Sequence, residues 1–241
     1  MIMSLSTRFK PLYKQVYDLL VDRLANNHWK PSEPLPSEFA LADELGVSQG
    51  TVRKALNQMV DEKLLTRRQG KGTFVAEHTQ ESSLFRFFRF KKSGGEKLIP
   101  ETVIIDRAVR LITPRESEIF SIEEGEQVNE MIRVRSLLGT KTVLEKVVQP
   151  LSVFPGIDKQ QDIPNALYSF YQEQYGISIV RVEEELKAAM LNQEQADLLE
   201  VNSQDPVLLV QRASISIDGS VVEWSEALCS TEKFVYSVSL R

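Results

Sequence analysis

Apolar residues between positions 12 and 60 recur at three- and four-residue spacing, and that pattern predicts three helices. The first runs from Leu12 to about Trp29, with Leu12, Val16, Leu19, Leu20 and Leu24 on one face. The second follows Ser37, a residue type that caps helices, and carries Phe39, Leu41 and Leu45. Gly46 falls just after its last residue, where a left-handed cap favours a residue without Cβ. Ser48 opens the third helix, whose Val52, Ala55, Leu56, Met59 and Val60 share a face. From Leu64 the period changes to two. Leu64 to Val75 alternates around Gly70 and Gly72 and reads as a hairpin.

Two helices around a glycine turn describe a helix-turn-helix, although the same pattern fits a plain helical hairpin. The basic, glycine-tipped hairpin that follows argues for the first and makes the unit a winged helix. In a helix-turn-helix the N-terminal end of the second helix enters the DNA major groove. That end carries Ser48, Gln49, Gly50, Thr51, Arg53 and Lys54, and Ser37 stands at the start of the preceding helix. The wing offers Arg67, Arg68, Gln69, Gly70, Lys71 and Gly72. Its cations can pair with phosphates, and its glycines let the backbone approach a groove closely. These thirteen residues are the candidate DNA contacts.

Beyond residue 98 the pattern is mixed. Strands are expected over Glu101 to Ile112, Val128 to Leu138, Thr142 to Gln149, Ile177 to Met190, Val207 to Ile217, Val221 to Leu228 and Phe234 to Leu240. Asp218-Gly219 is a strong hairpin turn. Thr113-Pro-Arg-Glu116 and Asn192-Gln-Glu-Gln195 open short helices. Ile163 to Tyr175 reads as an amphipathic helix with Leu167, Phe170, Tyr171 and Gln174 near one face. The expectation is an α+β chain of two domains: a winged helix-turn-helix over 9–76, a linker over 77–97, and over 98–241 a mostly antiparallel sheet with helices on one face.

The linker holds Ser82-Ser-Leu-Phe-Arg-Phe-Phe-Arg-Phe-Lys-Lys-Ser-Gly-Gly95, where four Phe interleave with Arg86, Arg89, Lys91 and Lys92. Such a segment can stack on single-stranded nucleic acid or lie on a membrane surface. The favoured reading is plainer: its Phe face docks on the second domain, because a chain with its own DNA motif has no need of a second platform.

Composition narrows the class. The 241 residues suffice for two cores, and 42% hydrophobic with 26% charged content is that of a globular chain. No apolar run approaches the ~20 residues of a membrane helix, and the N-terminus lacks the apolar stretch of a signal peptide. Cys229 is the single cysteine, so an intrachain disulfide is excluded and a reducing, cytoplasmic setting is expected. The net charge of −5 divides unevenly: residues 1–76 carry +3 and residues 77–241 carry −8. Attraction to phosphate is local, so a modestly basic head serves, with weak non-specific affinity expected.

The chain resembles GntR-type bacterial transcription regulators through Pro11-Leu-Tyr-Lys-Gln-Val, Leu35-Pro-Ser-Glu, Gly46-Val-Ser, Thr51-Val-Arg-Lys-Ala-Leu and Arg68-Gln-Gly-Lys-Gly-Thr-Phe-Val75. That resemblance implies a homodimer on a short palindromic operator of double-stranded DNA, each head reading one half-site. The second half is similar to the UTRA effector-binding domain of the HutC-like subfamily, itself similar in fold to chorismate-pyruvate lyase. The likeness rests on Met131-Ile-Arg-Val-Arg135, the strand with Glu145 before Pro150, the Leu167-Tyr168 helix, Gln193-Glu-Gln-Ala-Asp-Leu-Leu199 and the Asp-Gly hairpin with Glu223. It implies a small metabolite that changes DNA affinity, and a repressor rather than an activator.

Arg133 and Arg135 alternate with Ile132 and Val134, so both guanidiniums point to one side of a strand. They suit a bidentate anion, or they pair with Glu145 or Glu223, or they lie on the solvent face. The resemblance favours ligand contact. It implies that Arg133 and Arg135 hold an acidic or phosphorylated effector, that Glu145 and Glu223 meet its polar groups, and that Arg86 contributes from the entering segment. Tyr168 stands at a helix start whose backbone N–H groups can also receive an anion.

The chain also departs from its relatives. Relatives that bind phosphosugars usually carry small hydroxyl residues near Ala166 and often Tyr near Cys229, so a carboxylate effector fits as well as a phosphorylated one. In the head, relatives commonly have Arg where this chain has Phe39 and Gln49. Gln49 suits adenine, so the expected operator is richer in A·T at that step.

The rival classes are an enzyme and a constitutive DNA binder whose second domain is only structural. His28 and His78 both precede residue 98, and the chain has no Gly-x-Ser-x-Gly, P-loop or metal-ligand spacing. No catalytic residue, metal site or cofactor is therefore expected. The constitutive alternative predicts no ligand-dependent shift in melting.

Overall fold

The computed structural model describes residues 10–26, 28–77, 87–95 and 98–239. Its first three helices are α1 (Leu12–Ala25), α2 (Glu38–Leu45) and α3 (Gln49–Asp61). The Ser37 hydroxyl accepts the Ala40 N–H at 3.1 Å, and the Ser48 hydroxyl accepts the Thr51 N–H at 3.2 Å, so both predicted caps are made. Gly46 ends α2 at φ +64°, in the left-handed region. Val16, Leu20, Leu41, Val52, Leu56 and Met59 form the core between the helices.

Two expectations fail locally. α1 stops at Ala25 rather than near Trp29, because the Asn26 side chain and backbone N–H both bond to the Asp22 carbonyl and close the last turn. Trp29 folds back into the core. Phe39 is 74% exposed. Leu41, Ala42 and Leu45 take the buried stripe of α2, and Phe39 lies roughly 200° from Leu41 around the axis.

The hairpin follows as β1 (Leu65–Arg68) and β2 (Gly72–Val75), with Gly70 at φ +70° in its tip. After it, β3 (Phe90–Lys91) pairs with β10 (Val235–Tyr236) in a small separate sheet. The expected strand from Phe234 to Leu240 shrinks to two residues because β3 offers only two partners.

The main sheet is antiparallel, in the order β4 (Glu101–Leu111), β5 (Gln127–Leu137), β6 (Thr140–Pro150), β9 (Val221–Cys229), β8 (Val207–Ser216), β7 (Ile179–Ala189). Its helices are α4 (Pro114–Phe120), α5 (Leu167–Tyr175) and α6 (Gln193–Leu199). The capping box expected at Thr113/Glu116 forms, and a second one, at Asn192/Gln195, opens the helix expected there.

The helices lie on both faces of the sheet, not on one. Tyr171 of α5 clusters with Met131 and Val147, while Phe120 of α4 meets Val128 and Val148, and Leu199 of α6 meets Val134 and Leu144. Adjacent apolar residues such as Val147 and Val148 point to opposite sides, so each side needs a cover. α5 begins at Leu167 rather than Ile163. Asn165 donates to the Pro100 carbonyl and accepts from the Thr102 hydroxyl, which ties the preceding residues to β4. Gln174, expected on the packed face, is exposed.

Phe87, Phe88 and Phe90 are buried against this sheet, which is the docking reading of the aromatic segment. Phe85 lies outside the described residues. The N-terminal domain rests on the second through Val180 and Ile217, which pack on its core, and through Gln172 of α5, whose amide donates to the Ala76 carbonyl at 3.3 Å.

Candidate functional site

The strand register builds a polar cluster into the α5 face of the sheet. Arg133 lies opposite Glu145, and Met131, Val147, Ser225, Arg212 and Glu184 form a neighbouring row across five strands. Arg133 Nε donates to Glu145 Oε2 at 2.7 Å, and Arg135 Nη1 stands 3.6 Å from the same oxygen. Both arginines and Glu145 are about 95% buried. One carboxylate therefore serves two guanidiniums, and of the three sequence alternatives both pairing and pocket lining apply while the solvent face does not.

Glu223 behaves differently. It accepts from Tyr171 and from Ser214, the latter at 3.0 Å, and Tyr168 stands 3.4 Å away. Burial raises its pKa, against the lowering effect of Tyr171 and Arg133. Burial also works to raise Glu145, but Arg133 and Arg135 prevail and hold it down at about 2. Arg135 is pushed down to about 10 by burial and by the like charge of Arg133.

These groups line one cleft together with Phe87, Phe88, Asn165, Ala166, Leu167, Tyr168 and Arg212. Three features make it suit an anion. Arg133, Arg135 and Arg212 outnumber Glu145 and Glu223 on its wall. Arg135 Nε is buried with no hydrogen-bond partner while the guanidinium stacks 4.6 Å from the Phe88 ring centre. The first turn of α5 opens into the cleft, and Ala166 has no side chain to cap it.

Of the predicted ligand residues, Arg133, Arg135, Glu145, Tyr168 and Glu223 come together here. Arg86 lies outside the described residues. Sequence reasoning missed Arg212, whose guanidinium is held by Glu184 and by the Phe87 carbonyl at 2.9 Å. Its signal was a lone cation inside the apolar run of Val207 to Ile217. Asn165 was also missed and carried no pattern at all.

In the N-terminal domain, Ser37, Ser48, Gln49, Gly50, Arg53, Lys54, Arg67, Arg68, Gln69, Gly70, Lys71 and Gly72 are exposed, and Thr51 is half-buried. Not all point the same way. Ser37, Ser48 and Thr51 have hydroxyls engaged in caps, Lys54 Nζ sits 4.0 Å over the Tyr13 ring of α1, and Arg68 stacks 4.3 Å from Phe74. Gln49, Arg53 and Arg67 instead converge on the Glu38 carboxylate, at 3.4, 2.8 and 3.1 Å.

A winged helix-turn-helix joined to a sheet domain with a cation-rich cleft defines a ligand-responsive DNA-binding regulator. Residues 12–75 match the family of bacterial regulatory proteins named gntR, and residues 95–235 match the UTRA domain. The chain is 31% identical over 237 residues to the mannosyl-D-glycerate transport/metabolism system repressor MngR of Escherichia coli, covering 95% of each. It is 27% identical to the transcriptional repressor NagR of Bacillus subtilis (94% of this chain, 93% of that one) and 26% identical to the histidine utilization repressor of Pseudomonas putida (86% and 83%). PhnF from Mycobacterium smegmatis has a similar fold, with a TM-score of 0.57 over 94% of this chain and 99% of that one at 20% identity. The chain belongs to the GntR family, with the UTRA domain of its HutC-like members. It is thus a transcription regulator that binds DNA through one domain and a small effector through the other. No helix among the described residues is long and apolar enough to cross a membrane.

Proposed function

We propose that this chain is a cytoplasmic, homodimeric repressor that holds a short palindromic operator and is released by a small anionic metabolite. Residues 9–76 read DNA, 98–241 bind the effector and dimerise, and 77–97 join them. The single observation that carries the effector reading is Arg135: a buried guanidinium with an unpartnered Nε, on the wall of a cleft lined by two further arginines. An anion at that point satisfies it and offsets the repulsion from Arg133. The MngR relative is named for a system handling mannosyl-D-glycerate, itself a carboxylate, and Ala166 in place of a hydroxyl residue at the cleft favours a carboxylate over a phosphate here.

Coupling runs through α5. Its first residues line the cleft, and Gln172, one turn before its end, bonds the head at Ala76. An effector that draws the first turn of α5 toward the arginines moves the surface on which the head rests. A coupling of ~1–3 kcal/mol, five- to 150-fold in affinity, is typical of such a switch. The groups of the cleft are engaged with one another: two arginines hold Glu145, and Glu223 accepts from Tyr171 and Ser214, an arrangement that supports a binding role.

The test is a footprint of the purified protein on the DNA upstream of its own gene at physiological salt. A protected palindrome, lost when a carboxylate metabolite of a neighbouring pathway is added, is the expected result. Protection that appears only with the metabolite reverses the switch, and protection indifferent to every anion tried supports a constitutive binder.

A further inference from the structure

A carboxylate stands in the middle of the surface assigned to DNA. Glu38 opens α2, its side chain is half-buried beneath exposed partners, and it accepts from Arg53 Nε and Gln49 Nε2 on one oxygen and from Arg67 Nη2 on the other. A negative charge here opposes phosphate, and exposed ion pairs of this kind add little stability. Its geometry suggests a different use.

We propose that Glu38 is a positioning residue for base readout, fixing which donors the recognition helix and the wing present to the groove. The proposal rests on the DNA face described above. A carboxylate only accepts hydrogen bonds. It therefore holds the Gln49 amide with its NH₂ toward Glu38 and its carbonyl oxygen outward, which settles an amide orientation that is otherwise free. The second N–H of that NH₂ remains available, so Gln49 keeps one donor and one acceptor, the pair that adenine N7 and N6 require. On Arg53 the carboxylate engages Nε and not the two terminal nitrogens, the end-on fork that grips a guanine edge or a phosphate. On Arg67 it engages one nitrogen and so ties the wing to the recognition helix. Three groups from two elements are brought into one register by a single side chain, and the charge it removes from the surface is exchanged for discrimination.

The experiment compares Glu38→Gln and Glu38→Asp with the unaltered full-length protein. Affinity is measured for a duplex selected in vitro by the unaltered protein and for a scrambled duplex, across a salt series, with melting followed in parallel. Glu38→Gln removes the charge, frees two guanidiniums and lets the new amide face Gln49 either way round. We expect the ratio of selected to scrambled affinity to fall about tenfold while scrambled binding rises, with the salt dependence steeper by about 0.9 for each cation that turns to a phosphate. Glu38→Asp keeps the charge at the start of α2 but shortens the reach, and the same loss of ratio is expected from it. An Asp variant with the original ratio overturns the proposal and leaves Glu38 as a favourable charge at a helix N-terminus. A Gln variant with the original ratio overturns it too. Gln49→Ala and Arg53→Ala separate the two levels: if neither lowers the ratio, the DNA face itself is wrong and the positioning role falls with it.

Discussion

Arg133 and Glu145 face each other on adjacent strands, with Nε 2.7 Å from Oε2 and both side chains out of water. Arg135 leans on the same carboxylate from 3.6 Å. Removing one partner of a buried pair leaves an uncompensated charge, which typically costs ~3–5 kcal/mol. Glu145→Gln strands two guanidiniums and is expected at that end of the range in denaturant unfolding. Arg135→Met is expected to be nearly neutral, because it removes a like-charge repulsion and an unpartnered Nε while Arg133 still pairs with Glu145. The Met variant loses effector binding nonetheless. A stable Arg135→Met protein that still responds to the effector contradicts the anion cleft.

Acid sensitivity follows from the same pair. Glu145 has its pKa lowered from 4.5 to about 2, so its stabilising contribution is fully present above about 4.5 and is lost as pH falls toward 2. At ~1.4 kcal/mol per unit the loss is on the order of 3 kcal/mol. Glu223 is raised, so protonation favours the fold and its contribution fades as pH climbs through the raised value. Unfolding measured from pH 6 to pH 2.5 is expected to show an acid limb that Glu145→Gln flattens. Effector affinity is expected to weaken as pH rises and Glu223 ionises beside the ligand, and Glu223→Gln removes that slope.

Much of this was legible in the chain. Ser37, Gly46 and Ser48 declare the helix-turn-helix because caps and left-handed turns are local, and the structure makes both caps at hydrogen-bond distance. The alternation of Arg133 and Arg135 placed both on one face without any knowledge of the sheet. What escaped was set by partners distant in sequence. Arg212 joins the cleft only because β8 lies two strands from β6, and Asn165 is fixed by Pro100 and Thr102, some sixty positions away. Phe39 looked like core because periodicity marks an apolar stripe without saying which member falls off its edge. Helices on both faces were foreshadowed by Val147-Val148, a doublet that an alternating reading discards.

The link between the domains is narrow enough to test. The Gln172 amide bonds the Ala76 carbonyl at 3.3 Å and the Ser178 hydroxyl at 2.9 Å, at the end of the helix whose start lines the cleft. Gln172→Ala is expected to leave effector and operator affinities, each measured alone, within about threefold of the original. The factor by which effector weakens operator binding is expected to fall several-fold, below the five- to 150-fold typical of allosteric coupling. An undiminished factor removes α5 from the route and directs attention to Val180 and Ile217, which also pack on the head.

Base preference offers the sharpest test of the recognition helix. Gln49 projects from the first turn of α3 with its carbonyl oxygen free, and Phe39 stands exposed on the neighbouring helix, where an apolar ring can meet a thymine methyl. Both favour A·T pairs. Selection from random duplexes by the unaltered protein is expected to return A·T at the step read by Gln49. Gln49→Arg is expected to convert that step to G·C, since a guanidinium matches guanine O6 and N7, with discrimination of roughly 1–3 kcal/mol either way. Selected sites that are identical for the two proteins place Gln49 outside the bases and leave Arg53 and the wing to carry specificity.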